Sequence, residues 1–300
     1  MKVAFVILHY LTIEDTRECI NSILENISYR DYEIIIVDNG STNDSGRILH
    51  EEYDFKLNVH ILDSIENLGF AKGNNLGYAY AKKVLNSDLI IMINNDTIIN
   101  HNNFIEEVIK IYYEHKFDIL GPDIISTIDN KHQNPYEPFR KSNMNEKSVK
   151  NLILKYNIFI LLNYLYLDQI LKSLFKIVSK KKPSSYNNEE NYKYLQSGIR
   201  LHGSCLIFSP DYIKKYKGLY DKTFLYMEED ILFYIAWKER LKVLYSPNIE
   251  ILHKEDSSTN ALFNNKIKKR RFIYKNIRIS AKELLKILKD DKVYQTNMKD

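Results

Sequence analysis

The chain has only two cysteines, Cys19 and Cys205, in 300 residues. Two thiols cannot build a disulfide framework and are too few for a structural zinc held by thiolates, so a reducing compartment is the easier reading. Long apolar runs are missing as well. The longest charge-free apolar stretch, Tyr156 to Leu167, has twelve residues, too short to span a bilayer. The opening MKVAFVILHYLT holds one lysine and a short apolar run, lacks a small-residue cleavage site, and passes directly into charged IEDTRE. It reads as a first strand and not as a signal peptide. No internal repeat or long low-complexity tract is evident.

What is present describes a globular protein. Hydrophobic residues make up 44% and charged residues 27%, a balance that excludes an intrinsically disordered chain and a multi-span membrane protein. The length suits one large domain or two fused lobes. The net charge of +4 is unevenly spread. Residues 266–289 carry ten Lys/Arg and one Glu, a net +9, which leaves the remainder at −5.

The first hundred residues alternate between Val/Ile-rich runs and helix-like segments. Runs at Val3 to Leu8, Glu33 to Asp38, Leu57 to Leu62 and Asp88 to Asn94 are separated by amphipathic stretches at Ile13 to Asn26, Ser41 to Tyr53 and Ala71 to Leu85. Strand, helix, strand, helix predicts an α/β fold, a mainly parallel sheet with helices on both faces. Ligands of such sheets gather at the carboxyl ends of the strands. That places His9 and Tyr10, the loop Asp38-Asn39-Gly40-Ser41, and Asn94-Asn95-Asp96 along one rim.

The second half is less regular. Asn151 to Ser179 is strongly apolar with helical spacing and reads as core helices or a helical hairpin. The competing reading is an interfacial membrane helix, with Lys155, Lys172 and Lys176 meeting lipid phosphates, or a partner-binding face. Lys180 to Asn191 is polar, contains Pro183, and reads as a loop.

Several segments carry possible chemistry. In VDNGST, Asp38 is able to accept hydrogen bonds from a nucleobase or ribose, while Ser41 would cap the next helix. Gly69 and Gly73 in ENLGFAKGNN allow close backbone approach, although the stretch lacks the Lys-Ser/Thr of a P-loop and the dinucleotide spacing. MINNDT ends an apolar strand in Asn94, Asn95 and Asp96, a carboxylate on a rigid edge of the kind that holds Mg²⁺ or Mn²⁺ against a diphosphate; an ordinary polar turn has the same composition. Glu228, Glu229 and Asp230 open a helix-like segment, where the helix dipole favours acids. Crowded among Phe224, Leu225, Tyr226 and Phe233, one of them should also have a raised pKa, as a general base requires. His253 is either structural or a metal ligand.

Together these residues resemble the family-two glycosyltransferases with a GT-A fold, in particular the rhamnosyltransferase-like branch that builds bacterial polysaccharide, capsule and O-antigen. The matching pieces run in the family's order from Val3 to about Ser258: HYLT, VDNGST, ENLGFAKGNN, LIIMINNDT, GPDI, HGSCLIF, FLYMEEDILF and ILHKEDSST. The resemblance implies a GT-A domain whose residues 1–100 bind a nucleotide sugar. Residues 101–260 would bind the acceptor, with a helical insert near 148–190, and 261–300 would form a basic helical extension. It implies donor contacts from His9, Tyr10, Asp38, Asn67, Gly69, Lys72, Asn74, Asn94 and Asn95. Asp96 and His253 would hold a divalent metal, Mg²⁺ or Mn²⁺, and Gly203 and Ser204 would border the acceptor. Asn94 stands where many relatives have Asp.

Two registers fit the base: aligning FLY selects Glu229, aligning the acid selects Asp230. Glu229 is favoured, with Glu228 as the neighbour that raises its pKa or orients the acceptor. The implied reaction is inverting transfer from a nucleoside diphosphate donor to a hydroxyl of a saccharide or lipid-linked acceptor. The donor would be dTDP-rhamnose or a UDP-hexose such as UDP-galactose or UDP-N-acetylhexosamine. The implied location is cytoplasmic. The alternation of basic and apolar residues in 266–289 reads either as a membrane-surface helix, which would make the protein peripheral at the inner face of the cell membrane, or as a solvated helix face, some of whose charges could reach the donor diphosphate. A sugar nucleotidyltransferase is disfavoured, because it would want a Gly-rich basic loop after the first strand. Nucleic-acid binding leaves the acidic residues without a purpose. A non-catalytic GT-A-like scaffold or membrane adaptor is the alternative.

Overall fold

The computed structural model describes residues 1–135, 144–169, 190–255, 263 and 265–299. Its first hundred residues form the alternation expected: β1 (Val3–His9), α1 (Ile13–Asn26), β2 (Tyr32–Asp38), α2 (Ser45–Tyr53), β3 (Val59–Asp63), α3 (Phe70–Lys83) and β4 (Leu89–Asn94). β1 pairs in parallel with both β2 and β4, and β2 with β3. These strands are apolar nearly throughout because both faces are covered, so no polar side alternates with an apolar one. Val3, Phe5, Ile7, Ile34 and Ile36 point to the face holding Cys19, Ile20 and Leu49 of α1 and α2. Ala4, Val6, Ile35 and Val37 point to the opposite face, beneath Ala71, Tyr78 and Ala81 of α3.

The remaining elements extend the sheet: β5 (Thr97–Ile98), α4 (Phe104–His115), β6 (Ile119–Ser126), α5 (Glu146–Tyr164), β7 (Gln196–Ser197), β8 (Cys205–Phe208), α6 (Pro210–Lys215), α7 (Glu228–Lys238), β9 (Val243–His253), α8 (Lys266–Lys289) and α9 (Lys292–Met298). Among the described residues the sheet has nine strands in the order β3-β2-β1-β4-β8-β6-β9-β5, with β7 on β9. β8 runs antiparallel between β4 and β6, which themselves point the same way. This insertion keeps the carboxyl ends of β1, β2, β4, β6 and β9 on one rim and brings the residues just before β8 to that rim.

Two expectations need adjusting. Ser41 does not cap α2: the helix starts at Ser45 after a left-handed Asp44, and the Ser41 hydroxyl accepts from Leu11 N–H instead. The apolar segment from Asn151 is helical as far as Tyr164, while Lys172, Lys176 and most of the 180–191 loop lie outside the described residues. The basic stretch 266–289 is one continuous helix that packs against α5.

Candidate functional site

A cleft of about 370 Å³ opens on the carboxyl rim of the sheet. Tyr10 follows β1, Asn94 ends β4 with Asn95 and Asp96 after it, Gly203 and Ser204 precede β8, and His253 ends β9; all line it. Asn67 and Gly69 line it from the turn into α3, and Glu228 and Glu229 from the start of α7. Eleven sequence-expected positions thus share one wall system although the chain separates them by up to 243 residues. The cause is topological, since each of these positions belongs to a rim loop or strand end.

The metal-ligand candidates meet across the short β5–β9 ladder, in which Thr97 pairs with His253 and Lys254 N–H donates to Asp96 O at 2.9 Å. His253 Nε2 lies 3.3 Å from Asp96 Oδ1, and that oxygen is buried without a hydrogen bond. On the other side of the ring, His253 Nδ1–H donates to Gln133 Oε1 at 2.7 Å. A protonated ring would form an ion pair with Asp96 through Nε2, whereas the neutral ring turns a lone pair to that oxygen and sets two acceptor atoms against each other. Such an arrangement is unfavourable for the bare pair and suited to two ligands of one cation, with the outer hydrogen bond fixing the ring. No group of three or more His, Cys, Asp or Glu with metal geometry occurs among the described residues, so a bound ion would need further oxygens from elsewhere. A diphosphate supplies such oxygens.

The acidic end of the cleft is built differently. Tyr226 and Met227 both have left-handed backbone (φ 72° and 70°) and deliver the chain into α7. Two successive bulky residues in that region are strained, which marks a loop held by its surroundings. Those surroundings include Phe70 N–H, which donates to Phe224 O at 2.7 Å. Gly69 (φ +81°) makes this approach possible, because a β-carbon there would collide with the Phe224 carbonyl. Gly203 serves Glu229 the same way: a β-carbon would overlap its Oε1.

Burial, helped by the neighbouring charge of Glu229, pushes the Glu228 carboxyl up to about 8, and its Oε1 is buried without a hydrogen-bond partner. Burial also raises Glu229. The Glu228 carboxyl is therefore mostly protonated at pH 7, and burial makes Glu229 beside it more basic than an ordinary carboxylate, the direction a proton acceptor requires. Asp230 does not line the cleft; it pairs with Arg200 on its outer side.

Four other expected contacts lie off the wall. His9 is fully buried beneath the rim, bonded at 2.7 Å to Thr16 and to Ser45, and burial lowers it to about 4 despite nearby Asp38. Asp38 accepts from Ser41 N–H at 3.1 Å and packs on the backbone of Gly46. Asn74 donates to Phe70 O within α3, and Lys72 points to solvent. On the wall, Asn95 is committed inward, donating to Thr12 and Thr16.

The sequence places Asn39 on the rim without a role and leaves His202 and Gln133 out of the site. Asn39 ties the β2 rim to the α3 turn, donating to Asn67 Oδ1 and Gly69 O and accepting from Leu68 N–H. His202 lines the cleft beside His253 and is lowered to about 4, by burial first and by His253 second. Its place in LHGSC was the available signal. Gln133 offered none, since a lone glutamine in an irregular segment has no pattern.

With this geometry in place, comparison with known proteins defines the class. The model of "Glycosyl transferase family 2" matches residues 5–175, and the chain belongs to that family. Over 252 residues it is 22% identical to the low-salt glycan biosynthesis hexosyltransferase Agl10 of Haloferax volcanii, covering 84% of this chain and 67% of that protein. Over 118 residues it is 30% identical to the glycosyltransferase GlyG of Streptococcus pneumoniae, covering 39% of this chain and 37% of that protein. The fold is similar to the crystal structure of Staphylococcus aureus TarS 1-349 in complex with UDP. The TM-score is 0.52 at 13% identity, over 96% of this chain and 70% of that one. The fold is GT-A.

Proposed function

We propose that this chain transfers a hexosyl group, with inversion, from a nucleoside diphosphate donor to a hydroxyl of a glycan acceptor. The observation that carries the reading is the pairing of two unlike acidic groups in one cleft: Asp96 with His253 at one end, Glu228 with Glu229 at the other. The donor's diphosphate fits the first end. Asp96 and His253 would hold a divalent metal there, which when bound supplies charge for the departing nucleoside diphosphate. A uridine donor is supported by the likeness to TarS, whose structure contains UDP. Tyr10, Asn67 and the Gly69 backbone would border the nucleotide, while Gly203 and Ser204 would border the acceptor.

Glu229 acts as the base. It takes the proton of the acceptor hydroxyl as that oxygen attacks the anomeric carbon on the face opposite the leaving diphosphate. One displacement inverts the configuration and needs no covalent sugar-enzyme intermediate. Neutral Glu228 keeps a second negative charge away from Glu229 and leaves it room to accept. Holding both substrates in line supplies much of the rate.

The test is thermal stabilisation by UDP, dTDP and GDP, each with and without Mn²⁺, on the wild type and on Asp96→Ala. A shift with UDP that requires Mn²⁺ and vanishes in the variant is expected, about 2.7 kcal/mol at a hundredfold excess over Kd. A shift with dTDP alone would transfer the donor assignment to a thymidine sugar. No shift with any pair in folded protein would favour a non-catalytic scaffold.

A further inference from the structure

The helices α5 and α8 lie side by side, and the surface they share has an unusual composition. α5 turns Phe159 and Ile160 inward onto Tyr274 of α8, and presents Leu154, Ile158 and Leu161 to solvent, joined by Leu165 at its C-cap, with Leu161 62% and Leu165 57% exposed. Those four residues follow helical spacing, so they form one stripe and not scattered side chains. The inner face already has its packing partner, so the outer stripe is a second apolar face. Beside it, the exposed positions of α8 from Lys275 onward are Lys275, Ile279, Lys282, Lys286 and Lys289, of which Lys286 pairs with Glu283.

Basic residues also lie between the two stripes. The Arg271 guanidinium stacks 3.7 Å from the half-exposed Tyr164 ring, and Arg278 donates to Asn157 of α5. No acid occurs on α5 after Glu146 or on α8 before Glu283. The acid that follows α5, Asp168, is fully buried against Arg270 and Tyr274, so it does not weaken the surface field. An apolar stripe bordered by lysines, with a tyrosine at the join, matches the boundary between acyl chains and anionic headgroups.

We infer that the α5/α8 face docks this protein on the surface of an anionic lipid bilayer. No helix among the described residues is long and apolar enough to cross a membrane, so the contact is peripheral. Leu154, Ile158, Leu161 and Leu165 enter the acyl boundary while the lysines of α8 meet lipid phosphates. Phe272 of α8 also lines the catalytic cleft, and Ser280 donates to Leu225 O in the loop before α7. Docking would therefore set the cleft beside the bilayer. If the proposed transferase reading holds, that position suits an acceptor carried on a lipid.

Vesicle flotation of the full chain tests this, using phosphatidylcholine alone and phosphatidylcholine with 30% phosphatidylglycerol. Recovery with the anionic vesicles only, released by high salt, is expected. Lys275→Gln/Lys282→Gln/Lys289→Gln should weaken partition about a hundredfold, at roughly fivefold per lysine. Leu161→Ser/Leu165→Ser should abolish flotation at moderate salt; both residues are solvent-exposed, so this variant keeps its fold and its UDP response. Equal recovery on the two vesicles, or none on either, overturns the inference. So does concentration-dependent dimerisation lost in the leucine variant, which would assign the face to a second copy. The assay uses no donor, so its failure leaves the transferase reading untouched.

Discussion

The two acidic ends of the cleft are held in opposite ways. Asp96 sits between β4 and β5 of the central sheet, and its oxygen without a hydrogen bond faces His253 Nε2 at 3.3 Å. Glu228 and Glu229 sit on a helix start reached through two strained residues, packed against backbone and apolar side chains. With a neutral His253 the first arrangement gathers negative and lone-pair density, which on the proposed reading a cation would satisfy. The second removes water and crowds like charges, which favours protonation and makes a carboxylate basic. On the proposed reading one sheet rim supports two chemistries because its loops differ in burial and in what faces each carboxylate, while residue type alone is nearly the same.

If that division is right, the ends can be broken separately. Glu229→Gln should lower kcat by about 10²–10⁴, the usual range for losing a general base, read as UDP released from a UDP-hexose in the presence of a glycan acceptor. Its Mn²⁺-dependent stabilisation by UDP should survive. Asp96→Asn should do the reverse first, losing the UDP response even where the protein folds normally. Loss of both properties in both variants would show that the cleft works as one unit, and the comparison would fail.

Much of this division was legible in the residues. The β1–β4 alternation could be read because buried parallel strands are continuous Val/Ile runs, and Asp96 was conspicuous because a carboxylate ends such a run. The acid cluster was equally visible, but its register was not: Glu229 and Asp230 are adjacent, and only the helix geometry turns one to the cleft and the other to Arg200. His9 was misjudged for a related reason. It stands at a strand's carboxyl end like the true rim residues, yet its side chain turns inward to Thr16 and Ser45. Strand ends give position along the sheet, while the alternation of faces decides which side chains reach the ligand. Gln133 lay beyond reading because its role depends on a contact 120 residues away in sequence.

That contact allows a finer test of the cation end. Gln133 touches neither of the expected ligand atoms directly and acts by holding the His253 tautomer, so it is a positioning residue. Gln133→Leu should weaken Mn²⁺ affinity by about 10–100-fold with kcat at saturating Mn²⁺ nearly unchanged. Gln133→Glu should restore affinity, since a carboxylate also accepts from Nδ1–H. A kcat loss that excess Mn²⁺ does not repair would place Gln133 among the reacting groups instead.

The smallest effect belongs to Glu228, and its sign is fixed by its protonation. Its folded pKa of about 8 stands above the ordinary carboxylate value of 4.5, so between those limits the folded protein binds a proton that the unfolded chain releases. Folding stability therefore falls as pH rises from 4.5 toward 8 and levels off above it. Glu228→Gln, which cannot ionise, escapes that loss: its Tm should exceed the wild type's at pH 8, with the gap closing toward pH 5. Activity should respond in the matching way. Below pH 7 the variant should turn over almost like the wild type, because neutral Gln resembles the protonated acid. An inflection near pH 8 in the wild-type profile should be absent. A large kcat loss at pH 6 would instead make Glu228 the proton acceptor and reduce Glu229 to its neighbour, reversing the roles assigned to the two glutamates while leaving the division between the ends of the cleft intact.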